Sequence, residues 1–147
     1  MPSPEAVFSM ASTAVLPGWL LLAFLPRWRH TARLVCAVVI PGLLAVLYAA
    51  IIAARWGSAE GGFSSLADVQ KLFADPWLLI AGWIHYLAFD LFVGAWEVRD
   101  AQRLGIPHLL VVPCLVLTFL FGPVGLLLYG IVRAVRTRRV LVDEAAA

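Results

Sequence analysis

Asparagine is absent from this 147-residue chain, lysine occurs once, at Lys71, and cysteine twice, at Cys36 and Cys114. Each cysteine lies inside an apolar run, so no disulfide framework is expected, and both read as small residues packed within a membrane. Charge is scarce as well. Asp, Glu, Lys and Arg make up 14% of the chain, against about a quarter in an ordinary soluble domain. A net charge of +2, thinly scattered, excludes nucleic acid as a partner. The chain has no HExxH, no CxxCH, no paired Glu-x-x-His, no GxGxxG and no glycine-rich phosphate loop, the patterns that hold zinc, haem, di-iron or nucleotides. Of the histidines, His30 and His108 fall at the ends of apolar runs and His85 in the middle of one. Axial haem ligands must share a depth, and these do not. No metal and no cofactor is expected.

What remains is apolar. Hydrophobic residues make up 63% of the chain and the mean hydropathy is +0.93, the signature of an integral membrane protein. A spanning helix needs about 20 largely apolar residues. Four runs qualify, at about 7–25, 34–54, 76–96 and 109–132. The reading is a single all-α membrane domain over 1–147, with four transmembrane helices and a tail at 133–147 that is basic and then alanine-rich. The first run is preceded only by Glu5 and not by positive charge, so it reads as a retained helix and not a cleaved signal. Between the second and third runs, Ser65 and Asp68 form a capping-box pattern. Leu66, Val69, Leu72 and Phe73 then share one face, which predicts a short interfacial helix over 66–74. Pro17-Gly18, Pro41-Gly42, Pro113 and Gly122-Pro123 punctuate the runs and predict kinked helices. Most of the six tryptophans fall near run ends, as an aromatic belt requires; Trp83 lies deeper.

Ten arginines against one lysine fit a GC-rich bacterial gene, and the expected location is a bacterial inner membrane. Four spans put both termini on one side. That side carries Arg55, Lys71, Arg133, Arg136, Arg138 and Arg139, and the other carries Arg27, Arg29, Arg33, Arg99 and Arg103. The two counts nearly balance; the dense C-terminal cluster places the termini in the cytoplasm by the positive-inside rule.

The third run, "WIHYLAFDLFVGAWEVRD", carries His85, Asp90 and Glu97. An ionisable group deep in a bilayer is costly, so it normally faces protein or water and marks a functional site. At 100° per residue, Tyr86, Asp90, Gly94 and Glu97 follow one stripe, while His85, Phe89, Phe92 and Trp96 follow its neighbour. His85 and Asp90, about 140° apart, do not touch but can flank one pocket. Asp90 as acid and His85 as base form the expected catalytic pair. Trp83, Tyr86, Phe89, Phe92, Gly94, Glu97, Asp100, Gly122 and Pro123 are expected to line a ligand groove. Glu97 and Asp100, beside Arg99 and Arg103, are read as solvated interfacial charge that closes its end. Gly122 lets a neighbouring backbone approach, and Pro123 loosens the fourth helix opposite the polar stripe.

"HYLAFDLFVGAWEVRDA", followed by "GIPHLLVVPCLVLTFLFGPVGLLLY", resembles the plant neoxanthin-synthase family and its bacterial relatives. The resemblance is carried by His85, Asp90, Leu91 and Phe92, by Asp100-Ala101 and by Phe121 to Gly125, within residues 77–129. It implies a four-helix membrane protein of carotenoid metabolism. Plant members are implicated in converting violaxanthin to neoxanthin, an isomerisation that opens an epoxide and creates an allene. The implied function is a cofactor-independent isomerase of a carotenoid or other apolar polyene. The alternative is a non-enzymatic membrane subunit that binds pigment or lipid, or a small proton-coupled permease that uses Asp90 as its ion site and assembles as a homo-oligomer.

Overall fold

The computed structural model describes residues 2–138. Arg139 and the alanine-rich end of the tail lie outside the described residues. Among the described residues the chain is all-helical. Helix α1 is Pro4–Phe24; a π-wound segment, Thr31–Val39, continues directly into α2, Ile40–Arg55; α3 is Leu66–Ala74, α4 Pro76–Arg103, α5 His108–Phe121 and α6 Pro123–Thr137. Three helical stretches, Pro4–Phe24, Thr31–Ser58 and Pro76–Arg103, are long and apolar enough to cross a bilayer.

The ends of these helices are written locally. Ser3 caps α1 through Ala6 N at 3.2 Å, and Pro4 follows in the first turn, where a missing N–H costs nothing. Asp75 caps α4 through Trp77 N at 2.7 Å and Leu78 N at 3.2 Å, again with proline next. The short helix expected over 66–74 exists: Ser65 Oγ accepts from Asp68 N at 3.1 Å and donates to Asp68 Oδ2 at 2.8 Å. Its residue Leu72 is buried.

Helix α4 is the central post. Helix α1 runs parallel to it and α2 antiparallel. Trp83 Nε1 donates to Ser12 Oγ and Trp19 lies against Gly94, while Arg99 reaches Ala32 O and Arg55 stacks over Trp77. Close packing at small residues holds the three together. A Cβ on Gly18 would stand 3.1 Å from both Ile40 and Leu91, and one on Gly94 2.8 Å from Trp19. The surface is largely apolar, with Phe24, Leu43, Val46, Leu109 and Leu127 exposed, and the apolar core also encloses Glu97, Asp100 and Arg133.

The fourth expected span is not one helix. The chain breaks at Gly122, whose φ of +46° and ψ of −96° end α5 and start α6. The α5 helix starts beside the end of α1, where a His108 ring nitrogen meets Ala23 O at 2.9 Å. It runs back along α4 until Gly122 sits against the Asp90 carboxylate. The chain then reverses, and α6 returns until Tyr129 and Arg133 bond Asp100. Pro123 therefore opens a helix and does not kink one. Pro41 stays inside the continuous helical stretch Thr31–Ser58, just past its π-wound part. Of the expected mid-helix prolines, Pro17 and Pro113 remain inside α-helices. The α5–α6 hairpin is tight because Gly125 packs on Thr118, leaving no room for a Cβ. Gly125→Ala is expected to cost about 1–3 kcal/mol, read as a lowered thermal midpoint in detergent. An unchanged midpoint would mean that the two helices do not approach so closely.

Candidate functional site

Geometry divides the residues of α4 between two faces. One face is covered by the hairpin. There the Tyr86 hydroxyl donates to Phe119 O at 3.2 Å, one helical turn from Asp90 on the same stripe. Asp90 Oδ2 is buried and has no hydrogen-bond partner among the described residues. Two turns further on, Glu97 is 0% exposed. Its Oε1 accepts from Thr118 Oγ1 at 2.9 Å, and its Oε2 has no partner among the described residues. A buried polar atom left unmatched costs about 1–3 kcal/mol, so two on one stripe are the least expected feature of the interior.

Asp100 is the opposite case. Its Oδ1 accepts from Arg103 at 2.6 Å, and its Oδ2 accepts from the Tyr129 hydroxyl at 2.7 Å and from Arg133 Nε at 2.9 Å. Trp96 meets the Tyr129 ring edge-on at 5.4 Å between centroids. Glu97 and Asp100 are therefore not solvated interfacial charge, as their place near the end of the apolar run suggests. The hairpin covers both.

The other face looks toward α2 and outward. His85 is exposed, its ring 4.5 Å from Phe89 and 6.1 Å from Tyr48 by centroids. Phe89 and Phe92 are exposed on the same side. The structure brings Asp90, Tyr86, Glu97 and Gly122 together but does not bring His85 to Asp90. Gly94 serves packing against Trp19, and Pro123 is exposed at the hairpin tip.

Trp83 belongs to a third surface. It stacks on Tyr86 at 5.3 Å and meets Phe8 at 5.4 Å by centroids. These three rings line an apolar groove of about 620 Å³ between α1, α3 and α4. Tyr86 lines the groove, and Asp90 lies one helical turn further along α4.

Thr118, Tyr129 and Arg133 complete the covered stripe, and sequence reasoning missed all three. The signal was present: Tyr129 and Arg133 are four residues apart on one helix face, the first of them four residues beyond a Gly-Pro-Val-Gly break. Read as a kink, that break sends Arg133 far from Asp100; read as a reversal, it brings the two together.

Among the described residues no group of three or more His, Cys, Asp or Glu side chains is placed to hold a metal ion. No solved structure matches the chain. Among curated proteins it is similar to Protein ABA DEFICIENT 4, chloroplastic, of Arabidopsis thaliana. The two are 28% identical over 141 residues, covering 89% of this chain and 62% of the plant protein, so the chain spans less than two thirds of that relative. A family model described as ABA DEFICIENT 4-like matches residues 6–129, from α1 through the hairpin to Tyr129. The chain belongs to the ABA DEFICIENT 4-like family.

Proposed function

We propose that this is a multi-pass membrane protein of carotenoid metabolism that isomerises an oxygenated polyene end group by acid–base chemistry, with Asp90 as its acid. The observation that carries the reading is the buried, unpartnered Asp90 oxygen one tyrosine away from a groove walled by Phe8 and Trp83. Membership of a family whose plant members are implicated in neoxanthin formation supplies the substrate class. An apolar groove with one polar end suits a long polyene whose end group alone is oxygenated.

Opening an epoxide to an allene changes no formula. A proton joins the epoxide oxygen as its C–O bond breaks. A proton leaves a vinylic carbon, and the C–H electrons form the second cumulated double bond. One carboxyl can do both: the protonated oxygen of Asp90 gives its proton and the other oxygen takes one, which restores the acid. His85, turned toward Tyr48 and Phe89, is then not required as the base. Loss of a positioned acid or base costs typically a hundredfold or more.

The test is pigment chromatography with mass detection on bacterial strains that make different carotenoids. A new peak of unchanged mass is expected with the native chain and with His85→Gln. Asp90→Asn is expected to reduce it about a hundredfold. Full activity in Asp90→Asn would remove the assignment. A coloured protein without a new peak would make it a pigment-binding subunit.

A second reading has its own observation. Asp90 and Glu97 each keep an unmatched oxygen on one covered stripe, as in a proton path. Proton flux into liposomes that Glu97→Gln abolishes would favour a permease, which would need further copies of this thin bundle.

The hairpin also bears on orientation. With three crossings and a hairpin that returns to its starting side, the termini fall on opposite sides. The C-terminal side carries Arg27, Arg29, Arg33, Arg99, Arg103, Arg133, Arg136 and Arg138, and the N-terminal side carries Arg55 and Lys71. By the positive-inside rule, eight against two favours a cytoplasmic Arg138 end and an outer N-terminal end, in a bacterial inner membrane.

A further inference from the structure

Helix α3 meets α4 at a glycine. A Cβ on Gly82 would stand 2.9 Å from Cε1 and 3.3 Å from Cζ of Phe73, so the missing side chain is what lets the Phe73 ring rest on α4. The ring is held there because α3 is fixed at both ends. Gly62 N–H donates to Asp68 O at 3.2 Å in its first turn, and Asp75, directly after it, caps α4. Between these ties Leu72 is buried.

Phe73 and Gly82 line two cavities at once. One is the groove of about 620 Å³ walled by Phe8, Leu79, Trp83 and Tyr86. The other, of about 310 Å³, is lined by Tyr48, Ile52 and Phe63 with Leu78, Ala81 and His85. Helix geometry puts the ring between them. At 100° per residue, Leu79, Trp83 and Tyr86 all fall within about 100° of Gly82 in one sense of rotation, and Leu78, Ala81 and His85 within about 100° in the other. Gly82 is thus the crest between two channels, and the Phe73 ring stands on the crest.

We propose, resting on the groove as the polyene site, that Phe73 is its specificity-determining residue: the ring is a partition that keeps the polyene end group on the Tyr86 side and out of the cavity beside His85. Glycine adds no side chain of its own to divide the channels, so the division falls to Phe73. Confinement keeps the end group one helical turn from Asp90. It also separates His85 from the ligand, although His85 is next to Tyr86 in sequence. Without the ring the two cavities join over Gly82, and a bulkier end group or one turned toward His85 is admitted.

Photolabelling tests the partition without relying on turnover. The full chain in detergent is irradiated with a retinol analogue that carries a diazirine on its cyclohexene ring. Adducts are mapped by tandem mass spectrometry and counted only where excess unlabelled retinol removes them. In the native chain they are expected on α1 at Phe8 and on α4 at Leu79 or Trp83, with α2 spared. Phe73→Ala is expected to raise labelling at Tyr48 and Ile52 of α2 about tenfold, the discrimination that an overpacked site supplies. Phe73 is 40% exposed, so its truncation leaves the core in place; Phe73→Leu keeps an apolar contact with α4 and is expected to give an intermediate pattern. Native labelling of α2 as strong as that of α1 overturns the proposal. So does a native pattern in both Phe73 variants, which leaves the groove as a polyene site and removes only the partition. Absence of competed adducts on α1 in every protein overturns the polyene site and the partition together.

Discussion

A fluorescent protein fused after Ala147 is expected to be bright in a bacterial host, and alkaline phosphatase at the same place inactive; at the N-terminus the two results reverse. Alkaline phosphatase needs the disulfides of an oxidising compartment, so the pair of reporters distinguishes the two sides nearly all-or-none. The expectation rests on the hairpin. Helices of 14 and 15 residues reach about 21 and 23 Å at 1.5 Å per residue, short of the roughly 30 Å of hydrocarbon. Their contacts with α4 fix the direction. Gly122 touches Asp90 in the middle of α4, and both flanking helices diverge from there toward the Arg103 end. Irregular backbone at that depth is tolerated only where protein covers it; here Gly122 is buried and its N–H bonds Thr118 O at 2.9 Å.

The alternative outcome is as informative. Both termini in one compartment would restore four crossings and break the Tyr129 and Arg133 bonds to Asp100. Opposite termini with the C-terminus outside would keep the hairpin but put eight arginines on the wrong side, against the rule that orients most bilayer helices.

The comparison between sequence and structure turns on what a run of apolar residues can and cannot say. Hydropathy locates α1, α2 and α4 to within a few residues at most ends because each is one continuous rod. The capping pattern at Ser65 and Asp68 locates α3 because it is a local hydrogen-bond device. Hydropathy also joins α5 and α6 into one span, because a turn buried in protein is as apolar as a helix in lipid. Only Gly122-Pro123 marks the break, and a Gly-Pro step serves a kink and a reversal equally. The site inherits that ambiguity. The stripe of Tyr86, Asp90 and Glu97 follows from helical periodicity alone. Its cover of Thr118, Tyr129 and Arg133 depends on the reversal and is invisible without it. The same limit misplaces Asp100: near the end of an apolar run it reads as interfacial, yet a returning helix buries it. His85 shows the converse, since periodicity puts it beside the stripe but cannot say that Tyr48 and Phe89 receive it on another face.

Arg133→Met is expected to destabilise the fold by about 3–5 kcal/mol, the usual cost of stripping one partner from a buried ion pair. The Asp100 carboxylate is 4% exposed and fully matched by Arg103, Tyr129 and Arg133. Methionine keeps the volume and much of the stem, so lost charge and not lost packing sets the effect. Asp100→Asn with Arg133→Met is expected to recover a good part of the loss, because residues in one network couple strongly. Glu97→Gln provides the contrast. Its Oε1 can still accept from Thr118, and no cation is paired with it among the described residues, so a change within about 1 kcal/mol is expected. Denaturant or thermal midpoints of the four proteins in detergent, with the native chain as reference, decide the matter. An Arg133→Met protein that melts with the native chain would mean α6 is not held against α4 by this pair, and the hairpin would lose its anchor. A double variant no better than Arg133→Met alone would assign the loss to packing along α6, leaving Asp100 matched by Arg103 and Tyr129.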